Sequence, residues 1–375
     1  MIITPNRFTA LDVFRGITVC LMIIVNSPGD YNTTFAPLLH AQWNGFTPTD
    51  LVFPSFLFAV GNSISFVLPK WRNLSQLSVL AKILKRTTII FLLGFLMYWF
   101  PFVKFNQSNE LLLAPFDETR IFGVLQRIAL CYGIASLLIY YCKTKTVFII
   151  SIILLLLYWF LLLNFGDVND PFGMQTNFGF IVDKWLVGEN HLYNGEGVAF
   201  DPEGLLGTIP AVSNVIGGYL AGKFIQEKGK THEMLLKLML VGSCLLVISY
   251  FWNLTFPVNK KLWTSSFVTL TVGIDLIILA FIIYVIDFLN KTKWTNFFIV
   301  FGRNPLVIYI LSELILITLM VLKVNDRTTA FKWIYYNFFA GVGDYIGSFL
   351  FAITVMLFCW VTGYILDKKK IYIKV

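Results

Sequence analysis

Charge is what this sequence has least of. Only 13% of its 375 residues are Asp, Glu, Lys or Arg, about half the share of an ordinary soluble domain, which excludes that class. The five cysteines, Cys20, Cys131, Cys142, Cys244 and Cys359, fall in or at the ends of apolar runs. Their spacing suits neither a zinc site nor a disulfide framework, so they read as small packing residues. There is no internal repeat, no low-complexity tract, no linker between domains and no cluster with metal-ligand spacing. No small-residue cleavage site follows Asn26, and Asp12 and Arg15 interrupt the first apolar segment. That segment therefore reads as a permanent span and not as a cleavable leader.

What is present is apolar: 57% hydrophobic residues and 17% aromatics. A helix needs about 20 apolar residues to cross ~30 Å of hydrocarbon. Ten runs qualify, at about 10–27, 50–69, 79–100, 120–141, 146–165, 203–224, 235–252, 262–287, 295–322 and 346–366. The expectation is an all-α integral membrane protein: one domain over 1–375, folded as a single bundle of about ten transmembrane helices. Residues 166–202 form a long extracytoplasmic loop rich in Gly, Asn, Asp and Pro; it is either functional or a surface cap. A second outer segment, 326–345, carries Trp333, Tyr335, Tyr336, Phe338 and Phe339 and reads as an interfacial belt or cap.

Cations crowd one set of loops: Arg7; Lys70, Arg72, Lys82, Lys85 and Arg86; Lys143 and Lys145; Lys228 and Lys230; Lys291 and Lys293; Lys368, Lys369, Lys370 and Lys374. The opposite set holds Lys104, Lys184, Lys260, Lys261, Lys323, Arg327 and Lys332. This bias places both termini in the cytoplasm. It also accounts for the net charge of +8, which implies contact with anionic lipid headgroups and not with nucleic acid.

Polar side chains are costly in hydrocarbon and turn toward bundle interiors or water-filled cavities. The stretch His40 to Leu51, HAQWNGFTPTDL, is therefore the first place to look for chemistry. Counting ~1.5 Å per helical residue sorts the polar groups into two layers. The outer one holds Asn26, His40, Asn44, Asp50, Asp201, Glu203 and Arg127, the last about 10 Å below the edge. The inner one holds Arg15, with Arg303 and Asn304 about 13 Å in from the other side.

His40 can act as a general base or nucleophile with Asp50 orienting it, or be an interfacial histidine with one hydrogen bond. Arg127 needs a partner, which Asp50 or Glu203 could supply, as a structural pair or a substrate clamp. Arg303-Asn304-Pro305 interrupts its span; a break beside an arginine either binds an anion or is a plain kink. Asp275 and Glu313 are isolated mid-span carboxylates, serving packing or a path. His191 and His232 have no polar cluster around them.

The segments RFTALDVFRGITVCLMIIVN, LLHAQWNGFTPTDLVFPSFLFAVGNSIS, GVLQRIALCYG, DPEGLLGT and GRNPLVIYILSE follow one another in this order. The chain thereby resembles bacterial members of the heparan-α-glucosaminide N-acetyltransferase family, from about residue 5 to 366. The block around His40 is the most specific, DPEGLLGT nearly so, and GRNPL alone weak. The resemblance implies a polytopic, homodimeric enzyme of the bacterial inner membrane that uses cytoplasmic acetyl-CoA to acetylate an amino sugar on the other side. It implies catalytic roles for His40, Asn26 and Asp50. Combined with the two layers, it makes Arg15, Gln126, Arg127, Arg303 and Asn304 the expected acetyl-CoA-binding groups, and Trp43, Asn44, Asp201 and Glu203 the acceptor-binding ones. No metal is implied. The lysosomal enzyme carries a luminal domain and a further span before this core, without counterpart here, so the expected acceptor is an envelope or scavenged sugar and not heparan. Two other readings stay open: a transporter of a sugar or acidic solute, against which the lack of repeated halves counts, and an O-acyltransferase of a lipid or polysaccharide hydroxyl.

Overall fold

The structure, a computed structural model, describes residues 8–105, 111–325 and 327–373. Arg7 and Lys374, counted above among the loop cations, lie outside the described residues. The helices are α1 Thr9–Asn26, α2 Val52–Trp71, α3 Gln76–Trp99, α4 Val124–Tyr141, α5 Thr144–Phe165, α6 Phe178–Val187, α7 Thr208–Lys228, α8 His232–Trp252, α9 Ser265–Ile283, α10 Thr295–Arg303, α11 Pro305–Val321, α12 Ala330–Phe338 and α13 Asp344–Lys368. Two small antiparallel hairpins, Val103–Phe105 with Leu111–Leu113 and Lys323–Asn325 with Thr328–Thr329, cap the bundle.

The chain is an all-α integral membrane protein, but the expected ten spans are not all of one kind. Among the described residues, α1, α2 with its lead-in turn, α4, α5, α8, α9 with the following turn, and α13 are long and apolar enough to cross a membrane, seven in all. α10 and α11 pass together as an eighth, bent by 84° between Arg303 and Pro305. The runs at 79–100 and 203–224 fall short. α3 carries Lys82, Lys85 and Arg86 in its first half. The second run opens with the turn 203–207, and its helix, α7, is built largely from small residues.

Those small residues set the packing. α5 is apolar all round and turns Phe148, Ile149, Ile152 and Phe160 outward, as a lipid-facing helix does. α7 buries most of its surface against α2, α4, α5 and α9. A Cβ on Gly61 of α2 would stand 1.8 Å from the Val215 carbonyl oxygen, and one on Gly218 of α7 would stand 1.9 Å from that of Phe58. The two backbones touch, and such close approach is a main source of helix association where no hydrophobic effect operates.

The corner at Asn304 is tied to the tail. Asn304 Nδ2 donates to the Ile371 carbonyl at 3.0 Å, and the Ile373 N–H donates to Asn304 Oδ1 at 3.0 Å. The 166–202 loop is not structureless: it contains α6, and its Phe180, Leu192 and Phe200 form a small apolar core with Leu262. Of the 326–345 segment, α12 buries Tyr335 against Phe351 while Tyr336 and Phe338 stay exposed.

Candidate active site

The His40 segment is built by local rules. Thr47-Pro48-Thr49-Asp50 begins the turn that leads into α2, with Pro48 at the first helical position. The Asp50 carboxylate accepts from the Thr47 N–H at 2.9 Å and the Thr47 hydroxyl at 3.0 Å, the reciprocal cap that an acidic residue three places after a threonine makes. This leaves Oδ1 for His40, whose Nδ1 lies 2.7 Å away. Because the carboxylate only accepts, Nδ1 carries the hydrogen and Nε2 presents its lone pair. Asp50 is fully buried, whereas the imidazole is well exposed.

The Lys260 ammonium stands 3.1 Å from both ring nitrogens. Partial burial pulls the imidazole below its ordinary pKa; the Asp50 bond opposes this, and Lys260 adds to the lowering. Burial also depresses Lys260 itself, against the pull of Glu203 and Asp50.

Of the two partners expected for Asp50, the structure gives it His40 and not Arg127. Glu203 pairs with Arg120, a residue absent from the expectations above. Arg120 grips Asp201 through Nε at 2.9 Å and Nη2 at 2.6 Å, reaches Glu203 at 2.6 Å, and is sandwiched between the rings of Tyr98 and Tyr193. Burial raises the Glu203 carboxyl, but Arg120, Arg127 and Lys260 outweigh it and hold the group below the usual glutamate range.

Arg127 is buried, donates to the Gly204 carbonyl at 2.7 Å and lies over the Trp263 ring; its Nε and Nη1 have no partner among the described residues. Gln126 beside it donates to the Ile121 carbonyl. Gly204 is required because a Cβ there would meet Asp183 Oδ2 at 1.7 Å, and that same carboxylate accepts the Leu205 N–H. Trp43 and Asn44 dock their own segment: the indole donates to the Phe172 carbonyl, and Asn44 accepts from Asn259.

Asn26 does not bond to His40. Its Nδ2 donates to Glu313 at 3.1 Å. The two groups of residues meet at Glu203, whose field reaches His40 on one side and Tyr98 and Tyr309 on the other.

Toward the other end of the bundle lies a groove of about 100 Å³, lined on α2 by Phe56, Val60, Ser63, Val67 and Trp71. Fifteen residues of one helix face make it about 22 Å long. Arg15 and Arg86 line it, with Tyr132 and Pro305. Arg15 is held by Asp12, Ser63 and the Gly302 carbonyl, and Arg86 stacks on Tyr132 at 4.6 Å. Arg303, expected here, turns both Nη1 bonds to Asp367 at 2.5 and 2.6 Å, and Asn304 is spent on the tail. The break is thus braced by protein groups, with Arg303 Nε left without a partner among the described residues.

Arg120, Lys260 and Arg86 lie outside the segments that carry the family resemblance, and Glu313 closes the last of them. Arg120 and Lys260 did have a signal: both are cations on the side that the charge bias leaves nearly bare, and so require local carboxylates.

The heparan-alpha-glucosaminide N-acetyltransferase catalytic family model matches residues 7–183, which include His40, Asp50, Arg120 and Arg127. The heparan-alpha-glucosaminide N-acetyltransferase of Homo sapiens is 31% identical over 366 residues, covering 82% of this chain and 53% of that protein. The one from Mus musculus is 30% identical over 368 residues, covering 83% and 54%. The chain spans about half the length of these relatives. On the family match through the His40 segment and the similarity that continues over most of its length, the chain belongs to the heparan-alpha-glucosaminide N-acetyltransferase family.

Proposed function

We propose that this protein transfers an acetyl group from cytoplasmic acetyl-CoA to the amino group of a glucosamine-type sugar on the extracytoplasmic face of a bacterial inner membrane, with both termini cytoplasmic. The relatives' printed name supports the reaction class. The observation that carries the reading is the His40–Asp50 pair at one end of the bundle, with an arginine-lined groove running from the other.

The chemistry asks for three things. An amine attacking a thioester must lose a proton: the N–C bond forms, the C–S bond breaks, a base takes the amine proton and passes it to the departing thiolate, and CoA leaves as the thiol. His40 Nε2 suits that task, or that of carrying the acetyl group in transit, since both need the tautomer that Asp50 selects. The oxyanion needs a donor, and Asn26 has a second Nδ2 hydrogen beyond the one given to Glu313. The phosphates of CoA need cations, and Arg15 and Arg86 supply them at the groove. Its mostly apolar walls suit the thin pantetheine arm.

The test incubates purified protein with labelled acetyl-CoA and a panel of amino sugars. An amide product is expected, falling by about 10²-fold or more in His40→Ala. An ester product identifies an O-acyltransferase instead, and vesicle uptake of unmodified sugar identifies a carrier.

A further inference from the structure

We infer that Glu313 is the site that receives the acceptor's ammonium group, an inference that rests on the amino-sugar reading above. Glu313 lies in the middle of α11, partly buried, and no lysine, arginine or histidine pairs with it among the described residues. Among the described residues its one bonding partner is the neutral amide of Asn26. Most other carboxylates of the outer cluster have a charged or ionisable neighbour in bonding reach: Asp50 has His40, Asp201 and Glu203 share Arg120, and Glu196 has Lys261, while Asp183 is held by the Leu205 N–H. An unmatched carboxylate at membrane depth is costly, and a cationic ligand removes that cost.

Its surroundings fit a sugar. Tyr98 and Tyr309 lie in its field, and so does Tyr31, a residue exposed over 60% of its surface. Phenol rings supply stacking faces and hydroxyls supply hydrogen bonds, which is what a polyhydroxylated ring requires.

Its place on the helix also fits. Leu306 lines the groove, and Glu313 follows it by seven residues, on the same face of α11 two turns on. Arg15 lines the groove, and Asn26 follows it by eleven residues, on the same face of α1 about 16 Å further. The groove's walls therefore lead to the Asn26–Glu313 pair. A thioester arriving there finds a donor for its oxygen in Asn26 and, 3.1 Å from that amide, a carboxylate to hold the nucleophile.

The pair also fixes the amide's sense. Only the NH2 end of Asn26 can face a carboxylate, so Glu313 positions Asn26 as a donor while it holds the amine.

The test is calorimetric titration of the detergent-solubilised protein with D-glucosamine and with D-glucose, at a pH where the amine is protonated. Wild type is expected to prefer glucosamine. Glu313→Gln keeps an oxygen for Asn26 but loses the charge, and should lower glucosamine affinity by roughly tenfold or more while sparing glucose and acetyl-CoA. Glu313→Asp, which keeps the charge at shorter reach, should retain part of the preference and serves if the first variant does not fold. A wild type without preference, or a Glu313→Gln protein that keeps it, overturns the inference. If wild type prefers glucosamine through Glu313 yet forms no acetylglucosamine, the transfer reading falls and the ammonium site stands.

Discussion

His40 and Asp50 are 2.7 Å apart, yet the carboxylate is 1% exposed and the imidazole 41%. The buried partner is fixed by three further bonds, from Ala41, Thr47 N–H and the Thr47 hydroxyl. The exposed partner presents its Nε2 beside the Lys260 ammonium, 3.1 Å away. Asp50 therefore sets the ring's tautomer without competing for the reacting nitrogen.

Asp50→Asn removes the charge at nearly constant size. A nearby anion favours imidazolium, so its loss lowers the His40 pKa, and the neutral base survives to lower pH. The acid limb of the pH–rate profile should move down while turnover drops by at least about 10²-fold, because an amide can also present its NH2 and impose the other tautomer. An unchanged profile would sink the pairing as a functional one.

Lys260→Met should move that limb the other way. The ammonium beside the ring disfavours a second positive charge, so its removal raises the His40 pKa and the neutral form is lost at higher pH. Opposite shifts in the two variants, measured under the same conditions, are the signature; shifts of one sign contradict it.

Arginine substitutions separate the groove from the helix corner. Arg15→Ala and Arg86→Ala should each weaken acetyl-CoA binding by about 1–3 kcal/mol in calorimetry. Arg303→Ala should leave it within error and lower thermal stability instead, since it strands Asp367. Reversal of that pattern would place the nucleotide at the corner.

Asp183 gives a stability prediction with a definite sign. Burial, with a smaller contribution from Asp201, pushes its carboxyl up from 3.8 to about 7, against the Leu205 N–H and Arg127. Between roughly pH 4 and 7 the unfolded chain has released a proton that the folded chain keeps, so stability falls as pH rises through that window. Asp183→Asn should flatten the slope of the melting temperature there by a few degrees relative to wild type. Parallel curves would remove Asp183 from the pH response.

The bundle was legible because hydrocarbon imposes a length and an apolar composition that α5, α8 and α13 satisfy outright. The Arg303–Pro305 break was legible because proline cannot continue the ladder. α3 and α7 are the expected spans that hydropathy alone does not support, because Lys82, Lys85 and Arg86 dilute the first half of α3 and small residues build α7. The 166–202 loop was under-read, since α6 is too short to stand out among turn residues. The His40–Asp50 pair was readable because a histidine and a carboxylate share one short polar stretch between apolar runs. Arg127's partner was not: choosing among Asp50, Glu203 and the Gly204 carbonyl requires knowing which loop folds over α4, a tertiary fact that periodicity does not encode.

The 84° corner between α10 and α11 has a mechanical side. Asn304 and Arg303 hold residues 367–373 by bonds on both flanks of the bend, so the tail works as a splint across the joint. Straightening α10 onto α11 must first pull the splint away, and a chain cut before Asp367 would carry an unbraced elbow. Since Pro305 and Leu306 form one wall of the groove, a graded series of tail deletions becomes a way to adjust the groove's width without touching any residue that lines it.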